Sequence, residues 1–241
     1  MLFRHLMSLD LEVVNSTGKT GQNGPDFGVK FGGKTIWLEA IVPSPNGVPS
    51  DYLQPPTSGI PKVVRKPDTE RVLRCTSAIS EKLRKLNDYK SKGIVDENEC
   101  FVIAVNICRL SDWDVDGCGI SQFPLSLEAV LPIGHLALPL SSNGKVDGPA
   151  QNITRDKLIK FNGSEIVTTG FLNQNLSGVS AILQGHQKHL LEVKLDLSVI
   201  HNPNSQNPLP SKLLGSRKEF VTVVGDEEIE VNDIAAVIGN G

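Results

Sequence analysis

The sequence predicts an α/β fold with a central mixed sheet flanked by helices and extra β elements towards its C-terminus. Three observations carry that expectation. Residues 100–107, CFVIAVNI, are almost wholly apolar, the pattern of a central strand covered on both faces. The runs DFGVKF and KTIWLEAIV are joined by Gly32-Gly33, and a Gly-Gly pair between such runs signals a tight hairpin. Between hairpin and buried strand, Val72, Thr76, Ile79, Leu83 and Leu86 make one stripe at helical period over about 69–92.

Taken in order, Leu2, Leu6 and Leu9 read as the last turns of a helix whose beginning lies further upstream. Leu11–Val14 reads as a short strand, and the Gly-rich NSTGKTGQNG as a loop. Residues 43–67 hold seven prolines and little periodicity, so they read as a long surface loop, of a length that usually means function or disorder. Asp68-Thr69 opens the helix and Gly93 stops it. A second short helix is expected over Leu125–Leu131. Residues 137–160 are polar and give no clear pattern. Ile166–Phe171, Val179–Leu183 and Leu195–His201 read as further strands. The tail KEFVTVVGDEEIEVNDI reads as a hairpin turning at Gly225-Asp226, with a short helical or strand piece to end. The expected organisation is a single domain over 1–241, with a core at about 9–135 and a β-rich extension at about 160–241.

Length and composition bound the function. The chain has 241 residues, 39% hydrophobic and only 5% aromatic, which suits an aliphatic core with many loops. A net charge of -3 provides no global basic field, although one basic face can hide inside a neutral total. The four cysteines form no CxxC pair and read as reduced thiols of a cytoplasmic protein. No apolar run approaches the roughly 20 residues of a membrane span, so no membrane partner is expected. The oligomeric state is not legible.

Several tempting motifs fail on their own chemistry. Thr17-Gly18-Lys19-Thr20 echoes a phosphate loop, but the required first Gly is Val13 and no helix follows. Asp112, Asp114 and Asp116 match half of a calcium loop whose twelfth position, ordinarily Glu, is Phe123. His186 and His189 have zinc-like spacing in a turn with no third ligand nearby. His201-Asn202-Pro203 reads as a strand end and turn.

One charge is harder to dismiss. Glu39 sits inside the apolar run Ile36–Val42, and an unpaired buried charge is costly, so it must be paired, protonated or metal-bound. Alternation puts Trp37, Glu39 and Ile41 on one strand face and Ile36, Leu38, Ala40 and Val42 on the other. A hairpin turning at 32–33 brings Asp26 alongside Glu39. Two such carboxylates can share one Mg²⁺ or Mn²⁺, with water and a phosphate oxygen completing its shell.

Pro25-Asp26, the hairpin, the acidic residue inside an apolar strand, the helix and the buried strand together resemble the core of the PD-(D/E)xK restriction-endonuclease-like superfamily. The patches GPDF, IWLEAIVPSPN, RVLRCTSAISEKLRKL and HNPNSQNPLP are similar to a group of uncharacterised bacterial proteins assigned to it. The resemblance implies a restriction-endonuclease-like core, phosphodiester hydrolysis, and a nucleic-acid partner, DNA more than RNA. It implies Asp26, Glu39 and the backbone of Ala40 as metal ligands. The superfamily's lysine would fall on Ile41, a departure from the pattern. In some members that lysine has moved to the following helix, where Lys82 is the candidate. Arg71, Cys75, Ala78 and Lys82 fall in one helical sector of about 60° beside the apolar stripe. The plain alternative is that Lys82 only passes the core to reach solvent. Lys62, Arg65 and Lys66 of the proline-rich loop, with Arg71 and Arg74, are the candidates for phosphate contacts. Three functions stay open: a cutting nuclease, a nuclease-like fold that binds nucleic acid or protein without cutting, and an unrelated hydrolase or other protein.

Overall fold

The computed structural model describes residues 2–14, 24–54, 57, 59, 63, 65–110, 117–187, 195–225 and 229–235. It is an α/β fold. The first half runs α1 (Leu2–Met7), β1 (Glu12–Val14), β2 (Phe27–Phe31), β3 (Lys34–Ile41), α2 (Ser50–Leu53), α3 (Asp68–Ser91) and β4 (Cys100–Asn106). The second half runs α4 (Leu125–Glu128), β5 (Ile133–Ala137), β6 (Gln151–Thr154), β7 (Lys157–Ile159), β8 (Glu165–Val167), β9 (Ala181–Gly185), β10 (Leu197–His201), β11 (Lys218–Val224) and β12 (Ile229–Asp233).

Eight strands form one mixed sheet in the order β1-β2-β3-β4-β9-β10-β11-β12. β1, β2 and β3 are antiparallel neighbours, while β3 pairs with β4, and β4 with β9, in parallel. The C-terminal strands thus continue the sheet begun by the hairpin. β5–β6 and β7–β8 are separate two-stranded ribbons. β6 and β7 fall in the stretch where the sequence offered no pattern, and β8 ends at Val167 where a strand to Phe171 was expected; residues Gly170–Leu172 instead form a 3-10 turn.

The hairpin turn has the geometry its two glycines permit. Gly32 and Gly33 have φ of 56° and 77°, and Phe31 pairs with Lys34 across them. The face of β3 carrying Trp37 packs with Val72, Cys75, Ile79, Leu86 and Tyr89 of α3 and with Phe101, Ile103 and Val105 of β4. The opposite face, with Ile36 and Leu38, packs with Leu6 of α1, Val102, Leu183, Val199 and Leu214. A sheet buried on both sides explains why β4 reads as a continuous apolar run.

α3 has 24 residues and is about 36 Å long. Asp68 and Glu70 lie in its first turn, favourable to the dipole there. It ends as glycine dictates: Gly93 has φ of 66°, its N–H donates to Lys90 O at 3.0 Å, and the Ile94 N–H donates to Tyr89 O at 2.9 Å. That double closure also fixes the backbone of Tyr89. The four cysteines are free, and no helix among the described residues is long and apolar enough to cross a membrane.

Candidate active site

Lys82, Lys85 and Tyr89 follow one another at helical spacings of three and four, so α3 presents them on one face. That face meets Glu39 in the middle of the sheet. Lys82 Nζ and Lys85 Nζ both donate to Glu39 Oε1 at 2.8 Å, and the Tyr89 hydroxyl donates to Oε2 at 3.2 Å. Glu39 is only 1% exposed. The lysines differ: the Lys82 side chain is 7% exposed and that of Lys85 46%. The cluster is therefore sealed on one side and open on the other.

The charges are mutually stabilised. Burial pushes the Glu39 carboxyl up, but the hydrogen bonds and charges of the two lysines outweigh it and hold it below the ordinary carboxylate value. The hydrogen bond to Glu39 holds Lys85 above the ordinary lysine value. Burial, then the charge of Glu39, pushes the Tyr89 phenol up to about 12, with Asp26 adding to the effect. Tyr89 is thus a protonated donor at neutral pH.

Asp26 stands one residue before β2, whose Phe27 pairs with Leu38, so it faces the Glu39 position on β3. It is exposed, and its Oδ2 accepts the Ala40 N–H at 2.7 Å. The carboxylate continues the ladder where β2 has not yet begun. In an extended strand, the N–H and C=O of one residue point to the same side, so the Ala40 carbonyl also faces Asp26. Asp26 and Ala40 line a groove of about 500 Å³ at the carboxyl ends of β3, β4 and β9, with Leu2, Phe27 and Asn106 among the other walls.

Among the described residues, no group of three or more His, Cys, Asp or Glu is arranged to hold a metal. The oxygen set at this site is smaller: the Asp26 carboxylate, the Ala40 carbonyl and Glu39 Oε2. Carboxylate and carbonyl oxygens are the donor type a hard cation such as Mg²⁺ takes, commonly one or two carboxylates with water and phosphate in the remaining positions. The two ammoniums on Oε1 oppose any such cation, and Lys85 is the one exposed enough to move.

The remaining predicted residues divide. Lys82 does not pass the core to solvent; it ends on Glu39. Arg71 was expected on a nucleic-acid face, but it is 0% exposed, with its guanidinium over the Tyr52 ring and donating to Asp68 and the Cys118 carbonyl. It packs the helix start and cannot meet a phosphate from solution. Arg74 is half-buried on α3. Arg65 and Lys66 line a second hollow with Asp68, Glu70 and Arg155 at the start of α3. Lys82 lies 14 residues along the helix from Asp68, about 21 Å, so this basic end is remote from the carboxylates. Among the described residues, the strand end at Ile41–Val42, just before the loop, lines the groove that Asp26 borders. Lys62, Thr17–Thr20, Asp112–Asp116 and His189 lie outside the described residues.

Lys85 and Tyr89 were not singled out from sequence. Their signal was present: each shares with Lys82 the helix face that the apolar stripe turns towards the sheet. HNPNSQNPLP proves to be a set of ties. His201 ends β10 with Nε2 at 2.6 Å from Glu219 Oε1, Asn202 donates to the Leu176 and Val179 carbonyls, and Asn207 donates to Glu97 O.

Comparison of the chain with protein-family models, with curated proteins and with solved structures finds no match.

Proposed function

We propose that this chain is a metal-dependent nuclease of the restriction-endonuclease-like kind, hydrolysing phosphodiester bonds at the cluster of Asp26, Glu39 and Lys82. One observation carries the reading: Lys82 Nζ lies 2.8 Å from Glu39 Oε1. A helix-borne lysine thereby supplies the cation that Ile41 cannot. Supporting it is the order of elements: a helix, three antiparallel strands, a long helix, and a strand parallel to the third.

Asp26, Glu39 and the Ala40 carbonyl would hold the divalent ion. When bound, such an ion lowers the pKa of a coordinated water and offsets phosphate charge. Lys82 keeps Glu39 ionised and oriented inside the sheet. Tyr89 fixes the other carboxylate oxygen while keeping its own proton. Asp26, being exposed, marks the side from which a nucleic-acid strand approaches.

A second reading is favoured by the same contact. Lys82 and Lys85 already satisfy the charge of Glu39, so the fold does not need an ion to keep that carboxylate buried. A nuclease-like fold that binds without cutting meets that description as well.

The deciding experiment is an assay on single-stranded DNA, duplex DNA and RNA with Mg²⁺ or Mn²⁺ against EDTA, with Glu39→Gln, assayed under conditions where circular dichroism shows it folded, as control. Cutting that requires the ion and Glu39 supports the nuclease. Binding without cutting under every ion selects the second reading, and neither cutting nor binding removes both.

A further inference from the structure

One carboxylate oxygen, Glu39 Oε1, carries two ammonium groups, each at 2.8 Å. A single negative charge needs only one. Two ammoniums sharing an oxygen at that distance lie within about 6 Å of each other, close enough for appreciable like-charge repulsion. The geometry says which is the surplus one. Lys82 is 7% exposed and sealed between α3 and the sheet, whereas Lys85 is 46% exposed on a flexible four-carbon stem. Lys82 cannot leave without stranding a buried charge; Lys85 can rotate into water.

We propose that Lys85 is a displaceable counter-ion, which competes with the divalent cation for Glu39 and leaves it when a phosphodiester draws the ammonium outward. This rests on the metal-dependent reading above and adds a coupling to it. In the free protein, Lys85 weakens ion binding. With a phosphodiester present, the same ammonium turns to the phosphate, so ion and nucleic acid strengthen each other's binding by the same factor, as linkage requires. Lys85 is then the residue that ties ion loading to substrate arrival, while Lys82 remains fixed in both states.

The test is the binding of Mn²⁺ by calorimetry to wild type, Lys85→Met and Lys92→Met. Lys92 lies just beyond the end of α3, exposed and paired with Asp88, so its replacement removes the same charge away from the site. Lys85→Met should bind Mn²⁺ about tenfold tighter than wild type, and Lys92→Met should match wild type. A parallel series follows a fluorescent phosphorothioate-linked DNA oligonucleotide by anisotropy, with and without Mn²⁺. The gain in oligonucleotide affinity given by Mn²⁺ should fall in Lys85→Met by the factor that Mn²⁺ binding alone has gained. Equal Mn²⁺ affinity in wild type and Lys85→Met overturns the proposal and leaves the nuclease reading standing. So does equal tightening by Lys92→Met, or an undiminished oligonucleotide gain in Lys85→Met. Absence of Mn²⁺ binding in every variant overturns the proposal and the metal reading together. Binding by Lys85→Met but not by wild type supports the proposal in its strongest form.

Discussion

Glu128 and Glu39 are both buried glutamates, and each belongs to a different kind of site. At Glu128, Oε1 accepts the backbone N–H and hydroxyl of Ser121, seven residues away, and Oε2 accepts Arg155 Nη2 at 2.7 Å. Gly119 is pressed so closely on it that a Cβ there would fall 2.1 Å from Oε1. Two neutral donors of one nearby residue and one rigid guanidinium hold the carboxylate, and the backbone closes the space. Glu219 is met similarly, by His201 and the Lys212 N–H. At Glu39 all three donors are side chains of one distant helix, 43 to 50 residues away, two of them are cationic, and one reaches solvent. A carboxylate that is locally enclosed has a structural role; one over-supplied with charge beside an opening has room to exchange partners.

The largest expected effect breaks the comparison at Glu39. Glu39→Gln should abolish ion-dependent cutting and, separately, leave Lys82 buried without its counter-charge. The expected loss of stability is about 3–5 kcal/mol in urea unfolding, with most of it recovered in Glu39→Leu/Lys82→Met. Any relief of repulsion against Asp26 is outweighed by the loss of two lysine contacts. A neutral or stabilising Glu39→Gln would mean that the ion pair does not form in solution.

The same substitution at Glu128 should be milder. A glutamine retains an acceptor for Ser121, and Arg155 at 18% exposure can recover some hydration, so a loss of about 1–3 kcal/mol is expected. Cutting per folded molecule should be unchanged. If Glu128→Gln removed cutting without unfolding, the division between the two sites would be wrong.

Acid sharpens the contrast. The folded-state pKa of Glu39 lies below its ordinary 4.5. Its contribution to stability is therefore present above the unfolded value and lost as pH falls through the folded one. Wild type should lose more stability than Glu39→Gln between about pH 5 and that lowered pKa. Parallel curves for the two proteins would show that Glu39 is not held ionised.

The smallest effect concerns the remote basic end. Arg65→Gln/Lys66→Gln should reduce the slope of log affinity against log salt for DNA by at most about 2, and should leave the cutting rate of bound substrate alone. An unchanged slope removes this end of the loop from the binding surface.

Much of the frame was legible because its signals are local. Gly32-Gly33 selects the hairpin, the apolar run of β4 announces a strand covered on both faces, and Gly93 terminates α3 whatever lies around it. Glu39 stood out for a similar reason, as one charge in an apolar strand. The polar stretch 137–160 was not legible, since short ribbons such as β5–β6 depend on pairing rather than periodicity. Arg71 was misassigned because helical phase gives the direction of a side chain but not what lies opposite: Tyr52 and the Cys118 carbonyl come from segments whose approach is set by the fold.

By itself, then, the sequence determined the elements, the phase of α3 and the demand that Glu39 be compensated, because these follow from local propensity, periodicity and the cost of a buried charge. The tertiary structure alone decided that Lys82, Lys85 and Tyr89 meet that demand together, that Lys85 keeps a path to water, and that Arg65 and Lys66 lie elsewhere. Those outcomes depend on how far α3 slides along the sheet before its stripe packs into the core that Trp37 and Phe101 share, and that register is a property of packing between distant segments, which no local pattern carries.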